Sequence, residues 1–247
     1  MRVNFLSKGS DALHILSERS IPSSEGAPKW SNKMLDLRNP HQQTTKIGFK
    51  KKCDFYQCGM LKYNGVADFH SYHELLHALL LESDPDVTRF VPQPFRLPWR
   101  QNGYVPDCYI ARGSQRLIVE IKPEGKFPKE RGEWVSRFCR PHGIDYLEIT
   151  NEFLMAREVK ARNWFWIVSY LRAWKDFDST NQIKQLYEQL VDADAIELGS
   201  LIPYYKDKEQ TLDLLALFRM AHRGQCELEL NYSSLNPDTI VRLVNAS

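Results

Sequence analysis

The feature that most constrains the fold is a two-residue turn, Gly113-Ser114, between two strand-like runs. A type II′ hairpin turn needs a positive φ at its first central position, which glycine supplies without a steric penalty. The turn sets the register of the hairpin and places Asp107 directly opposite Glu120. Because cross-strand Cβ atoms lie about 5 Å apart, the register predicts two neighbouring carboxylates with a positive charge between them.

The pattern of apolar residues around this hairpin predicts an α/β fold. Helical spacing and strand-like alternation give a helix, three strands, a second helix and a fourth strand, in that order. The corresponding residues are 71–82, 87–97, 103–111, 115–122, 129–140 and 144–150. Three strands joined by short connections indicate an antiparallel meander.

After residue 158 the sequence becomes mainly helical. Helices are predicted around Trp164 to Trp174 and at 182–191 and 209–222, with a short element at 198–205 and a strand at 225–230. Three helices followed by a strand or hairpin are the order of a winged helix. We therefore predict a core domain at 53–157 and a winged-helix-like interaction domain at 158–247, with a boundary near Glu158.

The first 52 residues form a basic arm. They contain ten Lys and Arg residues against four Asp and Glu residues, although the whole chain carries a formal charge of only +2. Ser, Pro, Gly, Asn and Gln dominate residues 20–52, which predicts an extended or loop-like segment. A basic arm on an acidic body suits a polyanionic partner, and a solvated basic tail is the alternative.

The remaining composition predicts a cytoplasmic protein with reduced thiols and no membrane partner. No run approaches the roughly 18 apolar residues of a membrane span, and the first residues lack a signal-peptide pattern. The five cysteines are irregularly spaced and odd in number, which argues against a disulfide framework. Cys108, Cys139 and Cys226 have apolar neighbours and are predicted to lie in the core.

The chemistry of the chain is predicted to lie at the end of the hairpin. Glu120 and Lys122 share a face with Asp107, because strand side chains alternate, and the carbonyl of Ile121 stays nearby. Carboxylate and carbonyl oxygens are the ligands that Mg²⁺ and Mn²⁺ prefer. A lysine beside such a metal can help to deprotonate water or stabilise charge on a phosphate.

These residues resemble the PD-(D/E)xK nuclease signature, with Pro106-Asp107 followed by Glu120-Ile121-Lys122. The resemblance implies a restriction-endonuclease-like core in which the signature lies on the second and third strands. A surface hairpin with solvated charges is the alternative, and it fits poorly with the apolar residues that lead into Glu120.

Glu74 is the fourth predicted site residue, and it has two interpretations. Ser71 and Glu74 have the spacing of a capping box, in which the glutamate closes the start of the helix. Nucleases of the resembled type carry a metal-linked acid on the helix before the sheet, which implies a metal ligand here. A zinc site formed by Cys53, Cys58 and the histidines His70, His73 and His77 is a weaker alternative, because the spacing matches no familiar zinc motif.

A longer series of landmarks resembles the TnsA-type endonuclease subunits of heteromeric transposases. The landmarks are, in order, Gly48-Phe49, Glu74, Asp84-Pro85-Asp86-Val87, Gln93-Pro94, Pro106-Asp107 and Glu120-Ile121-Lys122. The chain departs from that family at Phe49-Lys50-Lys51-Lys52, where the usual Phe-Pro-Ser-x-Lys is absent, and it has Glu120 where some relatives have glutamine.

The resemblance implies a Mg²⁺-dependent endonuclease subunit that nicks the 5′ strand at the ends of a transposon, with Mn²⁺ as a substitute metal. It implies three partners: double-stranded DNA, a DDE-type transposase and an AAA+ ATPase regulator. A restriction-type or junction-resolving nuclease, and a catalytically silent scaffold with the same fold, are the alternatives.

Overall fold

A computed structural model describes residues 36–193, 195–203 and 208–244, with side chains from residue 211 onward in the last range. Most of the predicted arm, residues 1–35, lies outside the described residues. Residues 36–46 are irregular, as expected, and are followed by one helical turn. No helix in the described ranges has the length and apolar character needed to cross a membrane.

The chain folds as a mixed α/β structure. The helices are α1 Ile47–Lys50, α2 Tyr72–Glu82, α3 Lys129–Cys139, α4 Asn151–Met155, α5 Glu158–Ala173, α6 Thr180–Val191, α7 Leu198–Leu201 and α8 Lys208–His222. The strands are β1 Tyr56–Gly59, β2 Val66–Phe69, β3 Val87–Pro92, β4 Cys108–Arg112, β5 Gln115–Lys122, β6 Asp145–Thr150, β7 Ile196–Glu197, β8 Cys226–Leu228 and β9 Ile240–Leu243.

The central sheet has the order β3-β4-β5-β6, in which β3, β4 and β5 are antiparallel and β6 is parallel to β5. Helix α2 precedes the three strands and α3 crosses over from β5 to β6, so the elements follow in the predicted order. Parallel neighbours need such a crossover connection, and α3 provides it.

The hairpin has the predicted register. Gly113 has φ +54°, and Arg112 pairs with Gln115 across the turn. Pairing continues to Cys108 and Val119. Because the positive φ favours glycine at the first turn position, one residue fixes which side chains meet at the far end of the two strands.

Two predicted strands are too long. Strand β3 ends at Pro92 and β4 begins at Cys108, rather than at residues 97 and 103. Pro92, Pro94, Pro98 and Pro106 interrupt this stretch, and proline cannot donate to a strand ladder. Only an isolated bridge between Leu97 and Tyr104 remains there, so the connection becomes a loop that carries Tyr104.

The apolar core lies on both faces of the central sheet. One cluster packs Leu117, Val119 and Ile121 of β5 against α2 and α5. The other packs Ile118 and neighbouring side chains against α3. Alternate side chains of β5 thus point to the two helical layers, and Glu120 lies on the same side as Ile118, toward α3.

Cys108, Cys139 and Cys226 are buried, as predicted, and all five cysteines are free thiols.

The second half contains more strands than predicted. Besides β8, which is shorter than the predicted 225–230, it contains β7 and β9, and these form a three-stranded sheet in the order β7-β9-β8. The predicted element at 198–205 is helical at Leu198–Leu201, and residues 204–207 lie outside the described residues.

Helix α5 contributes to the same apolar cluster as α2, so this core runs across residue 158. The domain boundary remains a prediction.

The β1–β2 hairpin was not predicted. It pairs Tyr56 with Phe69 and Gly59 with Val66, and it precedes α2 directly. Phe69 is fully buried against the first core cluster. Ser71 caps α2, because its hydroxyl accepts a hydrogen bond from the amide of Glu74.

Candidate functional site

Three of the predicted side chains meet at the end of the β4–β5 hairpin. Lys122 Nζ lies 3.2 Å from Asp107 Oδ2 and 2.8 Å from Glu120 Oε1. The ammonium is the positive charge that two neighbouring carboxylates require. Burial alone would lower the pKa of Lys122, but Asp107 and Glu120 outweigh burial, so the pKa is raised and the side chain carries its charge.

Ile121 contributes through its backbone. Its amide donates to Asp107 Oδ2 at 2.7 Å, and its carbonyl accepts from Lys122 Nζ at 2.9 Å. Nζ therefore contacts oxygens of Asp107, Glu120 and Ile121. These are the three ligands that the sequence places on the hairpin for a metal ion.

Glu120 is held by two residues that the sequence did not reveal. Its side chain is only 2% exposed, and Oε1 accepts from Arg131 Nη2 at 2.7 Å. The hydroxyl of Tyr104 donates to Oε2 in a short hydrogen bond. The guanidinium of Arg131 also lies over the Tyr104 ring, 4.5 Å from its centroid. Both oxygens of this buried carboxylate are thus satisfied, and its position is fixed.

Glu74 caps α2 and also lies near the hairpin cluster. Its Oε1 accepts from the Ser71 hydroxyl at 3.2 Å and its Oε2 accepts from the His70 amide at 3.1 Å, so it closes the start of α2. The same carboxylate is close enough to Asp107 for its pKa to respond to that charge. The geometry therefore brings Glu74 beside the hairpin cluster without removing it from the helix cap.

Gln93 connects Glu74 to the loop at 36–46. Gln93 Nε2 donates to Glu74 Oε2 at 2.6 Å, and Gln93 Oε1 accepts from Gln42 Nε2 at 2.6 Å. Gln93 has φ +40°, and its amide donates to the carbonyl of Asp107 at 3.0 Å. A left-handed backbone at a non-glycine residue is costly, and it commonly marks a functional constraint. Here that backbone directs an amide side chain to Glu74.

The pKa values of Glu74 and Asp107 are raised above their ordinary range. Burial first, and the charge of Asp107 second, raise the pKa of Glu74 to about 8. Burial and the charge of Glu120 raise the pKa of Asp107 to about 6, against the lowering effect of Lys122. Burial and repulsion between acids thus disfavour the charged forms of Glu74 and Asp107, even beside the Lys122 ammonium.

A small cavity lies between α2 and the sheet, lined by Glu74, Asp107, Ile121 and His77. His77 is 1% exposed, and its buried Nε2 has no hydrogen-bond partner among the described residues. Burial lowers the pKa of His77 to about 3, so the ring is neutral. The sequence placed His77 only in the weak zinc alternative.

The donors suit a hard divalent cation in type and charge. Carboxylate and carbonyl oxygens already converge on one cation, the ammonium of Lys122, and oxygen atoms are the ligands that hard divalent cations prefer. Within 36–193, 195–203 and 208–244, no group of three His, Cys, Asp or Glu side chains is gathered as a metal cage. The zinc alternative gains no support, because His70 Nε2 lies 2.8 Å from the Thr45 hydroxyl and His77 lies in the core.

No protein-family model matches the chain, and no curated protein matches it.

Proposed function

We propose that the protein is a metal-dependent DNA endonuclease and that Asp107, Glu120, Lys122 and Glu74 form its active site. The observation that carries the proposal is the convergence of Asp107, Glu120 and the Ile121 carbonyl on the Lys122 ammonium. A nuclease needs clustered oxygens for a metal and a cation for the phosphate. On this hairpin Asp107, Glu120 and Ile121 supply the oxygens, and Lys122 supplies the cation.

Asp107 and the Ile121 carbonyl would hold Mg²⁺, or Mn²⁺ as a substitute, with Glu120 and Glu74 completing the protein ligands. When bound, the metal supplies Lewis-acid activation of the phosphodiester and lowers the pKa of a coordinated water. Lys122 then faces the negative charge that develops on the phosphate. Tyr104 and Arg131 are positioning residues, because they hold Glu120 and have no assigned contact with the substrate.

The topology supports this proposal. A helix, an antiparallel three-stranded meander, a crossover helix and a parallel fourth strand are the elements expected of a restriction-endonuclease-like core. The order β7-β9-β8, with α6, α7 and α8 around it, supports a winged-helix-like second domain. Its wing would be the β8–β9 hairpin.

We further propose that the enzyme acts in a cut-and-paste transposase of the TnsA type, nicking the 5′ strand at transposon ends in the cytoplasm. The proposal rests on the order of the sequence landmarks, and two of them, Gln93 and Glu74, are joined by a hydrogen bond. Partners would be a DDE-type transposase and an AAA+ ATPase regulator. The cations in the last turn of α8 contact other residues of the chain, Arg219 the Ser179 hydroxyl and His222 the Glu82 carboxylate, which favours protein contacts over a DNA-reading role for the second domain.

The proposal is tested by incubating the full-length protein with supercoiled plasmid and Mg²⁺ or Mn²⁺. We expect nicking by the wild type, none by Asp107→Asn, and wild-type nicking by Asp145→Asn, which changes an exposed aspartate at the start of β6. Equal nicking by both variants would refute the assigned site.

The transposase assignment needs a second substrate comparison. Cleavage confined to the 5′ strand of transposon ends and stimulated by the partner proteins would support it. Preferred cutting of four-way junctions by the isolated protein would favour the junction-resolving alternative.

A further inference from the structure

A basic groove lies between the β1–β2 hairpin, β3 and the end of α5. It has a volume of about 490 Å³, and its lining includes the cations Lys62, Arg89, Arg172 and Lys175, with no carboxylate. These cations come from three separate parts of the chain. None of them belongs to the Asp107 cluster.

The charges of the groove are not neutralised by ion pairs with described carboxylates. Arg89 Nη2 donates to the Pro40 carbonyl at 2.7 Å, and Arg172 Nη1 donates to the Met60 carbonyl at 2.9 Å. Lys62 Nζ likewise donates to three main-chain carbonyls. A carbonyl orients a cation but leaves its net charge in place, so the groove remains positive.

The acids behind Lys62 have other partners. Glu82 accepts from two main-chain amides and lies 3.0 Å from His222 Nε2. Asp84 and Asp86 both pair with Arg112, at 2.9 and 3.2 Å. The charges of these acids act on Lys62, where they oppose the lowering of its pKa by burial, and no described carboxylate forms an ion pair with Arg89, Arg172 or Lys175.

Arg172 crosses from the second half of the chain to the first. Gly59 leaves space for its guanidinium beside β1, since a Cβ there would lie 2.1 Å from Arg172 Cζ. Together with the hydrogen bond to the Met60 carbonyl, this places a cation from the end of α5 against the β1–β2 hairpin.

We propose that this groove binds the sugar-phosphate backbone of double-stranded DNA away from the cut, as a sequence-independent anchor. Arginine and lysine contacts to phosphates position a protein on a duplex without reading bases. An open groove with three exposed cations, Arg89, Arg172 and Lys175, suits a chain of phosphates better than a single anion. The inference rests on the proposed DNA substrate, but it concerns binding and not cleavage.

The test uses the full-length protein and a short duplex of arbitrary sequence, without divalent metal, so that nothing is cut. Affinity is measured as a function of salt for the wild type and for the double variant Arg89→Gln with Lys175→Gln. Arg89 and Lys175 are chosen because both side chains are exposed. Lys62 is left unchanged, because burial lowers its pKa to about 8. The control is Lys184→Gln with Arg242→Gln, which removes the same charge from exposed positions elsewhere.

Each phosphate contact contributes about 0.9 to the slope of log affinity against log salt. We expect the groove variant to lower the magnitude of the slope by about two, with an unchanged melting temperature, and the control to keep the wild-type slope. A wild-type slope in the groove variant would overturn the inference, as would binding of inorganic phosphate without binding of the duplex.

The two proposals fail separately. A groove-dependent slope in a protein that never nicks DNA with Mg²⁺ or Mn²⁺ would refute the nuclease and retain the groove. Nicking that depends on Asp107, together with the same salt slope in the wild type and the groove variant, would refute the groove and retain the nuclease.

Discussion

Replacing Glu74 with glutamine separates the two roles of this side chain, because glutamine keeps the shape and loses the charge. Oε2 accepts from the His70 amide and from Gln93 Nε2, whereas Oε1 accepts from the Ser71 hydroxyl. An amide oxygen in place of Oε2 keeps the first two hydrogen bonds, and the amide NH₂ can donate to the Ser71 oxygen. We therefore expect Glu74→Gln to preserve the start of α2.

The negative charge of Glu74 destabilises the folded protein by an amount that depends on pH. Glu74 in the unfolded chain ionises near the ordinary value of 4.5, whereas the folded protein raises this pKa to about 8. A carboxyl with a raised folded pKa stabilises the folded state at low pH, and this stability is lost as pH rises toward the folded value. At 1.36 kcal/mol per pH unit, the difference between the two pKa values corresponds to a loss of at most about 5 kcal/mol in the free energy of unfolding.

The assay is denaturant unfolding in the presence of a chelator, from about pH 5 to about pH 8, the window set by the two values for Glu74. We expect the free energy of unfolding of the wild type to fall across this window and that of Glu74→Gln to fall much less. Glu133→Gln, at an exposed position of α3, should follow the wild type. Parallel curves for wild type and Glu74→Gln would refute the argument. With Mg²⁺ present, the variant should also lose DNA cleavage, because an amide is a poorer ligand for a hard cation.

Four further outcomes are expected. Asp107→Ala should lose the rise in melting temperature that Mg²⁺ gives the wild type by mass action, and an equal rise would exclude Asp107 as a ligand. His77→Leu should stabilise the protein by about 1–3 kcal/mol in denaturant unfolding, because it removes an unpartnered buried nitrogen. The His77→Leu variant should also lose less stability than the wild type as pH falls from 6.5 toward about 3. Between these two pKa values the unfolded histidine takes up a proton and the folded histidine does not. Arg131→Met should cost about 3 kcal/mol of unfolding free energy, and an unchanged value would show that Lys122 alone compensates Glu120. Deleting residues 1–35 should flatten the salt dependence of DNA binding, and an unchanged slope would make the arm dispensable for binding.

The hairpin could be predicted because its information is local. Gly113 fixes the turn, the turn fixes the register, and strand alternation places Glu120 and Lys122 on one face. The prolines at 92, 94, 98 and 106 are equally local, but apolar residues alternate with them and the stretch resembles a strand, whereas the structure has a loop there. That loop carries Tyr104.

The residues that hold the cluster could not be found by the same reasoning. Tyr104 and Arg131 reach Glu120 from a loop and from the crossover helix, and only the packing of α3 on the sheet brings them there. Gln93 was noticed as a landmark, yet its contact with Glu74 depends on a backbone at φ +40° that no spacing rule indicates. His77 offered one signal, since it lies on the same face of α2 as Glu74 three residues later.

Lys122 explains how the chain can fold around three neighbouring carboxylates without a metal. Two of them, Asp107 and Glu120, share its ammonium, and Glu120 has Arg131 as a second cation. Glu74 accepts hydrogen bonds from Ser71, His70 and Gln93, and its pKa is raised further than that of Asp107. A divalent cation that enters would therefore gain most from Glu74 and Asp107, because these are the carboxylates whose charge is least compensated. Its attraction to Glu120 is reduced, since both oxygens of that side chain already have partners. Glu120 thus acts as the fixed anchor of the hairpin cluster, while Glu74 and Asp107 are the acids whose ionisation a metal would drive.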